Sequence, residues 1–578
     1  MQGFTFKDFV GDYDWKLLFC TPSVPCKKNG RQQPPFFAHD EPIAPFIAIV
    51  MGLQHALAMV GSIITVPLLI SGSDDANLGD RHSQYLISAA LIVSGLTSIL
   101  QVSRFKIPVI GVTVGTGIVS VMGTSFTFLP VARDAMSQMK GKSKYMNIDG
   151  EFDGVKAYGA VLGTFLVCSW VEVILGFIRP KALRKIFPPV VVGVTVFLIG
   201  AALMGTSFKY WGGGVVCAEN VLSADPPLCR GNGNVLLPFG SAEYVGLGFS
   251  FFSMLVILEV FGSPFMRSVN VFIALLFGYI IATVSSKDGA DYTFNDKIVA
   301  ADSFTFLWVH TYPLSVYPPL IVPSILGFII TALETIGDVS STIDVSNLPV
   351  ESSENFERIR GGLVGDGISS FLAALGTSMP NTTFSENNGI IALTRCASRR
   401  AGFACGIWLV FFGIFAEVGA FFTFIPDCVL GGMTTFLFAN VATSGINILT
   451  SAGNSRRIRF IAACSVGLGL GVTIVPSWAT NNLWPCDNCG EALKSFRDGV
   501  ILVLGTGYSL GCIVALVLNL IIPLEADDVK LPTAAVDETA HDDEVNQDPA
   551  AAPATALADA KVEDLEMTPA RAPVAEEA

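Results

Sequence analysis

Twelve long apolar runs constrain this chain more than any other feature. They cover Ile43 to Ser71, Tyr85 to Val102, Val155 to Ile178, Pro188 to Ser207, Tyr244 to Gly262, Val269 to Val284, Pro319 to Thr335, Leu363 to Leu375, Ala401 to Ile425, Val429 to Ile448, Phe460 to Val475 and Val500 to Pro523. Most approach or exceed the roughly 20 apolar residues that a helix needs to cross a bilayer. The alternating pattern of an outer-membrane barrel is absent. Only 15% of the residues are charged and mean hydropathy is +0.57, whereas soluble domains average about 25% charged. The sequence therefore predicts an all-α polytopic membrane protein whose immediate partner is the lipid bilayer.

The formal charge of -14 comes almost entirely from one end. From Leu524 to Ala578 there are fifteen acids and three bases, a net -12, which leaves -2 for the rest. That tail is rich in Ala, Pro, Asp and Glu and cannot bury an apolar core, so it is expected to be a disordered acidic segment over 524–578. No basic tract suggests nucleic-acid binding. The first 42 residues are polar and aromatic and lack the apolar centre of a cleavable signal. They read as an N-terminal cytoplasmic segment, with the first span serving as its own insertion signal.

Short loops with dense positive charge set the orientation. Arg104/Lys106, Arg179/Lys181/Arg184/Lys185, Arg395/Arg399/Arg400 and Arg456/Arg457/Arg459 all fall on one side if the chain crosses fourteen times with both termini inside. Cys217 and Cys229 then share an extracellular loop, as do Cys486 and Cys489, where disulfides are possible. Cys486-x-x-Cys489 lacks the second pair or His that would make a zinc site, so no metal is expected.

Two regions interrupt the oil. One runs from Pro108 to Pro130 with Gly111, Gly115, Gly117 and Gly123; the other from Pro380 to Arg395. Irregular backbone survives at membrane depth only where protein shields it or a cavity adjoins it. The halves also echo each other: Gly159-x-x-x-Gly163 and Gly402-x-x-x-Gly406, Pro188-Pro189-Val190-Val191-Val192-Gly193 and Pro426-Asp427-Cys428-Val429-Leu430-Gly431, Thr124 to Thr127 and Thr382 to Ser385. The order is preserved, which predicts two repeats of seven spans, 43–287 and 318–523, joined by an extracellular connection over 288–317. Seven is odd, so the second repeat is inverted. Such transporters place their substrate between broken helices at the midplane.

Ionisable residues inside spans are functional candidates by default. Glu334 and Asp338 lie four apart, on one helical face, and Glu334 is a candidate proton carrier. His55 interrupts the first span beside Gln54, and Asp366 sits between Gly365 and Gly367. Glu386, Asn387 and Asn388 are expected to precede a half-helix starting near Gly389, whose free N–H groups and positive dipole end would face a cavity. Phe126 and Phe384 could stack on a planar ligand. A flat heterocycle with several N–H and C=O groups suits this set, although these residues alone do not dictate it. No nucleophile–base pair or metal constellation marks an enzyme.

At these residues the chain resembles the nucleobase–ascorbate transporter family (nucleobase:cation symporter-2), and within it the fungal uric acid–xanthine permeases. The run Glu386-Asn387-Asn388-Gly389-Ile390-Ile391-Ala392-Leu393-Thr394-Arg395 follows the family signature Gln/Glu/Pro-Asn-x-Gly-x-x-x-x-Thr-Lys/Arg/Gly. Gln54-His55, Glu334-x-x-x-Asp338, Gly123-Thr124-Ser125-Phe126 and Gly11-Asp12-Tyr13-Asp14 match as well, and the likeness spans roughly 10–523. The resemblance implies fourteen transmembrane segments as a 7+7 inverted repeat with two broken helices. Spans 1–4 and 8–11 would form a core domain, and spans 5–7 and 12–14 a dimerising gate domain. It further implies a plasma-membrane homodimer that takes up nucleobases with protons, needing no cofactor beyond the coupling ion. By position, Glu334, Glu386, Phe126, Ser385 and Asn387 would bind substrate. His55, Asp338 and Asp366 would support the site and proton coupling. Thr394, Arg395 and Phe384 would affect selectivity and gating.

One departure concerns Glu386, where the purine-specific members carry Gln. An ionised Glu only accepts hydrogen bonds, whereas Gln also donates. Two carboxylates facing one ligand disfavour an anionic guest such as urate, so the expectation extends to neutral xanthine, hypoxanthine, guanine or uracil. An anion exchanger on the same fold is the rival. The pair Glu334 and Glu386 argues against it, because anion sites favour positive charge.

Overall fold

The computed structural model describes residues 9–523 apart from 12, 20–35, 74, 107–111, 149, 179–186, 222, 224–226, 232, 288, 294–302, 350–351, 481–483 and 486–489. The acidic tail, Cys486, Cys489 and the 179–185 basic cluster lie outside these residues. The longer helices are α1 (Pro45–Ser71), α2 (Asp80–Val102), α3 (Phe128–Met139), α4 (Gly154–Cys168), α5 (Trp170–Leu175), α6 (Pro189–Trp211), α7 (Ala242–Phe261), α8 (Asn270–Val284), α9 (Ile321–Val345), α10 (Ser353–Leu375), α11 (Glu386–Thr394), α12 (Arg399–Ile414), α13 (Ala416–Thr423), α14 (Asp427–Ser451), α15 (Arg456–Ile474), α16 (Glu491–Gly505) and α17 (Gly507–Ile521). Two short strands, β1 (Met122–Thr124) and β2 (Asn381–Thr383), sit just before α3 and α11.

Eight helical stretches among the described residues are long and apolar enough to cross a membrane, or ten if each bent pair is one span. This is fewer than the twelve apolar runs in the sequence, for identifiable reasons. Ala401 to Ile425 folds as α12 and α13 with a 76° bend, and α16 and α17 meet at 84°. The helix α8 has only 15 residues. The run Leu363 to Leu375 belongs to α10, which also carries Glu354, Glu357, Arg358, Arg360 and Asp366.

The proline echo has a structural counterpart. Pro189 opens α6 and Pro426 caps α14, as suits a residue with no N–H to lose at a helix start. These two helices pack along each other over much of their length.

The two interruptions meet. β1 and β2 pair antiparallel, with Met122 opposite Thr383, Gly123 opposite Thr382 and Thr124 opposite Asn381. Ser125 N–H to Pro380 O (2.9 Å) and Phe384 N–H to Val121 O (3.0 Å) extend the ladder. A two-stranded ribbon buried among helices leaves edge groups that need partners. Ser98 Oγ accepts from Met122 N–H at 2.8 Å, Ser370 Oγ donates to Asn381 O at 2.8 Å, and Asn381 Nδ2 donates to Thr97 Oγ1 at 2.9 Å. Thr124 Oγ1 donates to Ile63 O in α1 at 2.8 Å. Hydroxyls and an amide on α2, α10 and the strands thus take the place that water would have.

The N-terminal segment docks beneath the second interruption. Tyr13 Oη donates to Thr394 O at 3.3 Å, and Phe37 bridges to Cys396. Asp40 pairs with Arg399 at 2.7 Å, and Arg104 and Arg358 both hold Glu354. Residues 37–40, 104, 354–358 and 394–399 therefore gather at one end of the molecule. Cys217 and Cys229 form a disulfide, one of the two cysteine pairings that the sequence allowed.

Candidate functional site

A cavity of about 600 Å³ lies beside the ribbon. One wall is Ser125, Phe126 and Thr127 after β1, Thr382 to Glu386 from β2 into α11, and Leu333, Glu334, Gly337, Asp338 and Ser341 of α9. The opposite wall is Val196 and Ile199 of α6 with Asn440, Val441, Ser444, Asn447, Ile448 and Ser451 of α14. Glu334, Asp338 and Glu386 line the same space, and no Lys, Arg or His is among its lining residues.

The α9 acids reach the cavity because residues four apart share a helix face. Asp338 Oδ2 accepts from Thr383 Oγ1 of β2 at 2.9 Å, which ties α9 to the ribbon. Glu386 opens onto the cavity. Phe126 is nearly buried, with its ring edge-on to Phe438 of α14 at 5.4 Å and 90°. Phe384 lies over Gly123: a Cβ there would stand 2.4 Å from two of its ring carbons.

The half-helix begins earlier than expected. It starts at Glu386, not near Gly389, so Glu386, Asn387 and Asn388 form its first turn. An acid in the first turn favours that start through the helix dipole. The donor end is also narrower than expected, because Asn387 N–H and Asn388 N–H are turned to Phe384 O (3.3 Å) and Ser385 O (3.0 Å).

The structure brings Glu334, Asp338, Glu386, Phe126, Phe384 and Ser385 into one cavity and places the other candidates behind or away from it. Asn387 is buried; its Nδ2 donates to Val119 O at 2.7 Å, fixing α11 against the segment before β1. His55 is fully buried with its ring against the Asn387 side chain. Asp366 lies one layer deeper, where its Oδ2 accepts from Thr335 Oγ1. Thr394 and Arg395 close the far end of α11: Thr394 Oγ1 donates to Ile390 O at 2.8 Å, and Arg395 caps the helix in the left-handed region at φ 56°. Gly389 is the last residue of α11 that lines the cavity, so Thr394 lies five residues farther along, roughly 7.5 Å at about 1.5 Å each.

Two features escaped the sequence reading. Asn440, Ser444, Asn447 and Ser451 form a polar stripe on α14, at steps of four, three and four. That helical spacing inside an apolar run was a readable signal. Glu172 is a lone acid in the run Val155 to Ile178; it is fully buried, with its carboxyl against Asp366 and Thr331.

Residues 46–478 match a family model described as "Permease family". The chain belongs to this family of nucleobase permeases. It is 43% identical over 541 residues to the uric acid-xanthine permease of Emericella nidulans, covering 93% of this chain and 92% of that one. It is also 43% identical over 533 residues to the purine permease of the same organism, covering 91% and 90%. Among solved structures it resembles the murine Slc26a9 anion transporter in its inward-facing state, with a TM-score of 0.50 and 12% identity over 72% of this chain and 64% of that one. At that identity the likeness shows the fold alone. The permease is therefore a multi-pass membrane protein, and the resemblance read from its signature run is the family to which it belongs.

Proposed function

We propose that this permease carries xanthine- or urate-type purine nucleobases into the cell together with protons. The observation that carries the reading is the cavity itself. Three acids, two phenylalanines and a strand ribbon surround a space lacking any basic residue, in a chain 43% identical to a uric acid-xanthine permease along nearly its whole length. Glu334 and Glu386 are placed to accept from ring N–H groups, and Phe126 offers the ring face. Asp338, held by Thr383 and with Asp366 behind it, is the proton-exchanging group in this reading; His55 and Asn387 support α11.

Counting the eight long stretches, the two bent pairs, α8, α10 and the two strand-and-half-helix units as one pass each gives fourteen. This count supports a 7+7 inverted repeat; the reading is completed by cytoplasmic termini and a plasma-membrane homodimer. The wall built on α6 and α14 would belong to the gate domain, past which the core slides in an elevator-like cycle. The second reading is a uracil or broad nucleobase symporter, favoured by Glu386, which accepts hydrogen bonds but does not donate them when ionised.

The test is uptake of radiolabelled xanthine and uracil against a pH gradient in cells expressing wild type and Glu334→Gln. Xanthine uptake that follows the gradient and falls by about tenfold or more in the variant is expected, a lost charged hydrogen bond being worth about 1.5–3 kcal/mol. Uptake indifferent to both the gradient and the substitution overturns the mechanism. Uracil outcompeting xanthine selects the second reading.

A further inference from the structure

Behind the cavity lies a pair of acids with no counter-ion. Glu172 of α5 is fully buried, and its carboxyl lies against that of Asp366 in α10, beside Thr331 and Glu334 of α9. Asp366 is equally buried, and among the described residues its Oδ1 accepts from no N–H or hydroxyl donor. Neither acid joins an ion pair among the described residues. The backbone forces the approach: a Cβ on Gly367 would stand 2.7 Å from Val173 N and 3.2 Å from Glu172 C, so only a glycine lets α5 sit this close to α10. Two carboxyls in contact, buried and without a cation, cannot both be ionised. The arrangement suits a pair that holds one proton between two carboxyls.

The pair connects to the cavity through two hydroxyls. Asp366 Oδ2 accepts from Thr335 Oγ1, Thr335 Oγ1 lies 3.3 Å from Thr383 Oγ1, and Thr383 Oγ1 donates to Asp338 Oδ2 at 2.9 Å. Each hydroxyl has one proton, so with both donating outward the central contact has none. Protonating Asp338 aligns the chain. The Asp338 O–H gives its proton to Thr383, Thr383 gives its own to Thr335, and Thr335 gives its own to Asp366. One proton leaves Asp338 and one arrives at Asp366; each hydroxyl ends with a single proton, and the Thr335 hydroxyl must turn back toward Asp366 to restore the starting arrangement.

We propose that Glu172 is the inner terminus of this path, sharing with Asp366 the proton that Thr383 and Thr335 pass from Asp338. Among the described residues the groups facing the pair are Thr331, Glu334, Thr335 and, beyond them, Asp338, all on α9, so carboxyls and hydroxyls set its protonation. This rests on the proposed proton-coupled uptake and adds to it a residue outside the cavity.

The test compares Glu172→Gln and Glu172→Asp with wild type. The readouts are the pH profile of labelled xanthine uptake and xanthine exchange in counterflow, which needs no net proton movement. Gln cannot share the proton, and its amide donates to an ionised Asp366. The midpoint at which uptake is lost as pH rises should therefore move to lower pH by about one unit or more, with counterflow retained. Glu172→Asp keeps the shared proton and should keep the wild-type midpoint. Retained counterflow with an unmoved midpoint in Glu172→Gln overturns the proposal. Should that variant not reach the membrane, infrared titration of the purified wild type decides: no buried carboxyl band titrating with the uptake midpoint overturns it. A wild type that exchanges no nucleobase refutes the proposed function instead, and the infrared titration still tests the pair.

Discussion

Gly123→Ala is the smallest change that should reach the site through its frame. The added Cβ would lie 2.4 Å from Phe384 Cε2 and Cζ and 2.9 Å from Ile63 Cγ1. Carbon–carbon contacts are comfortable at about 3.5–4.0 Å, so the ring must retreat by roughly 1 Å. Gly123 is paired with Thr382 in the ribbon, which holds the backbone in place, so the ring must yield into the cavity it lines. Overpacking of this size costs about 1–3 kcal/mol, and each 1.4 kcal/mol that appears in binding is about tenfold in affinity. In competition uptake, the inhibition constants of unlabelled nucleobases should rise by about tenfold while surface expression holds. Phe384→Leu in the same chain removes the colliding ring edge, so the double variant should recover part of the loss, with a coupling energy above the roughly 0.5 kcal/mol of independent sites. Gly123→Ala with wild-type inhibition constants and melting temperature would refute this account of the frame.

Other outcomes follow from the same structure. Glu386→Gln should improve competition by urate relative to uracil, since the carboxamide adds a donor and removes one acid facing the ligand; unchanged ranking counts against Glu386 as the selectivity residue. Cys217→Ser opens the disulfide and should lower stability by about 2–4 kcal/mol, seen as a lower melting temperature that reducing agent imposes on wild type but not on the variant. Asp153 caps α4, accepting from Lys156 N–H at 3.1 Å and pairing with Lys156 Nζ at 2.8 Å. Partial burial pushes its carboxyl up, but the Lys156 contacts outweigh that and hold it below the usual range. Its stabilisation is thus present above the ordinary carboxylate pKa and lost as pH falls through the depressed one. Asp153→Ala should lower stability by about 0.5–2 kcal/mol near neutral pH, and the difference from wild type should narrow in acid.

What the sequence made legible was mostly what the membrane forbids. Polar breaks at Thr124 to Thr127 and Thr382 to Ser385 had to be shielded or cavity-lining, and they do pair in one ribbon beside the cavity. Glu334 and Asp338 were legible because an acid on an apolar helix is hard to place without a role. Depth was not legible. Asn387 belongs to the same motif as Glu386, yet a one-residue step turns it from the cavity to Val119 O. The α14 stripe of Asn440, Ser444, Asn447 and Ser451 was hidden because Asn and Ser cost little in a long apolar run and raise no alarm singly. Where a span bends is likewise set by packing: α16 and α17 turn 84° at Thr506, whose Oγ1 donates to Asp134 Oδ2 at 2.9 Å on α3.

That last contact belongs to a set that gives the cavity a direction. Besides Asp134 with Thr506, Arg133 Nη1 donates to Thr206 Oγ1 of α6 at 2.6 Å, and Lys142, just past α3, pairs with Asp498 of α16 at 2.8 Å. All three bind α3 and its extension to the helices after Pro189 or after Glu491. At the other end, Ser341, Asn447 and Ser451 line the cavity and are exposed. The two walls are thus tied by polar contacts at the α3 end and separate at the C-terminal ends of α9 and α14. The cavity's exposed lining residues at these ends mark where it meets the exterior among the described residues. In the proposed cycle those three ties would have to break, and each is a partly exposed or hydroxyl-mediated contact of modest strength. The proposed elevator-like cycle would thus ask for the release of a few weak contacts, with the ribbon, the α9 acids and α11 moving together.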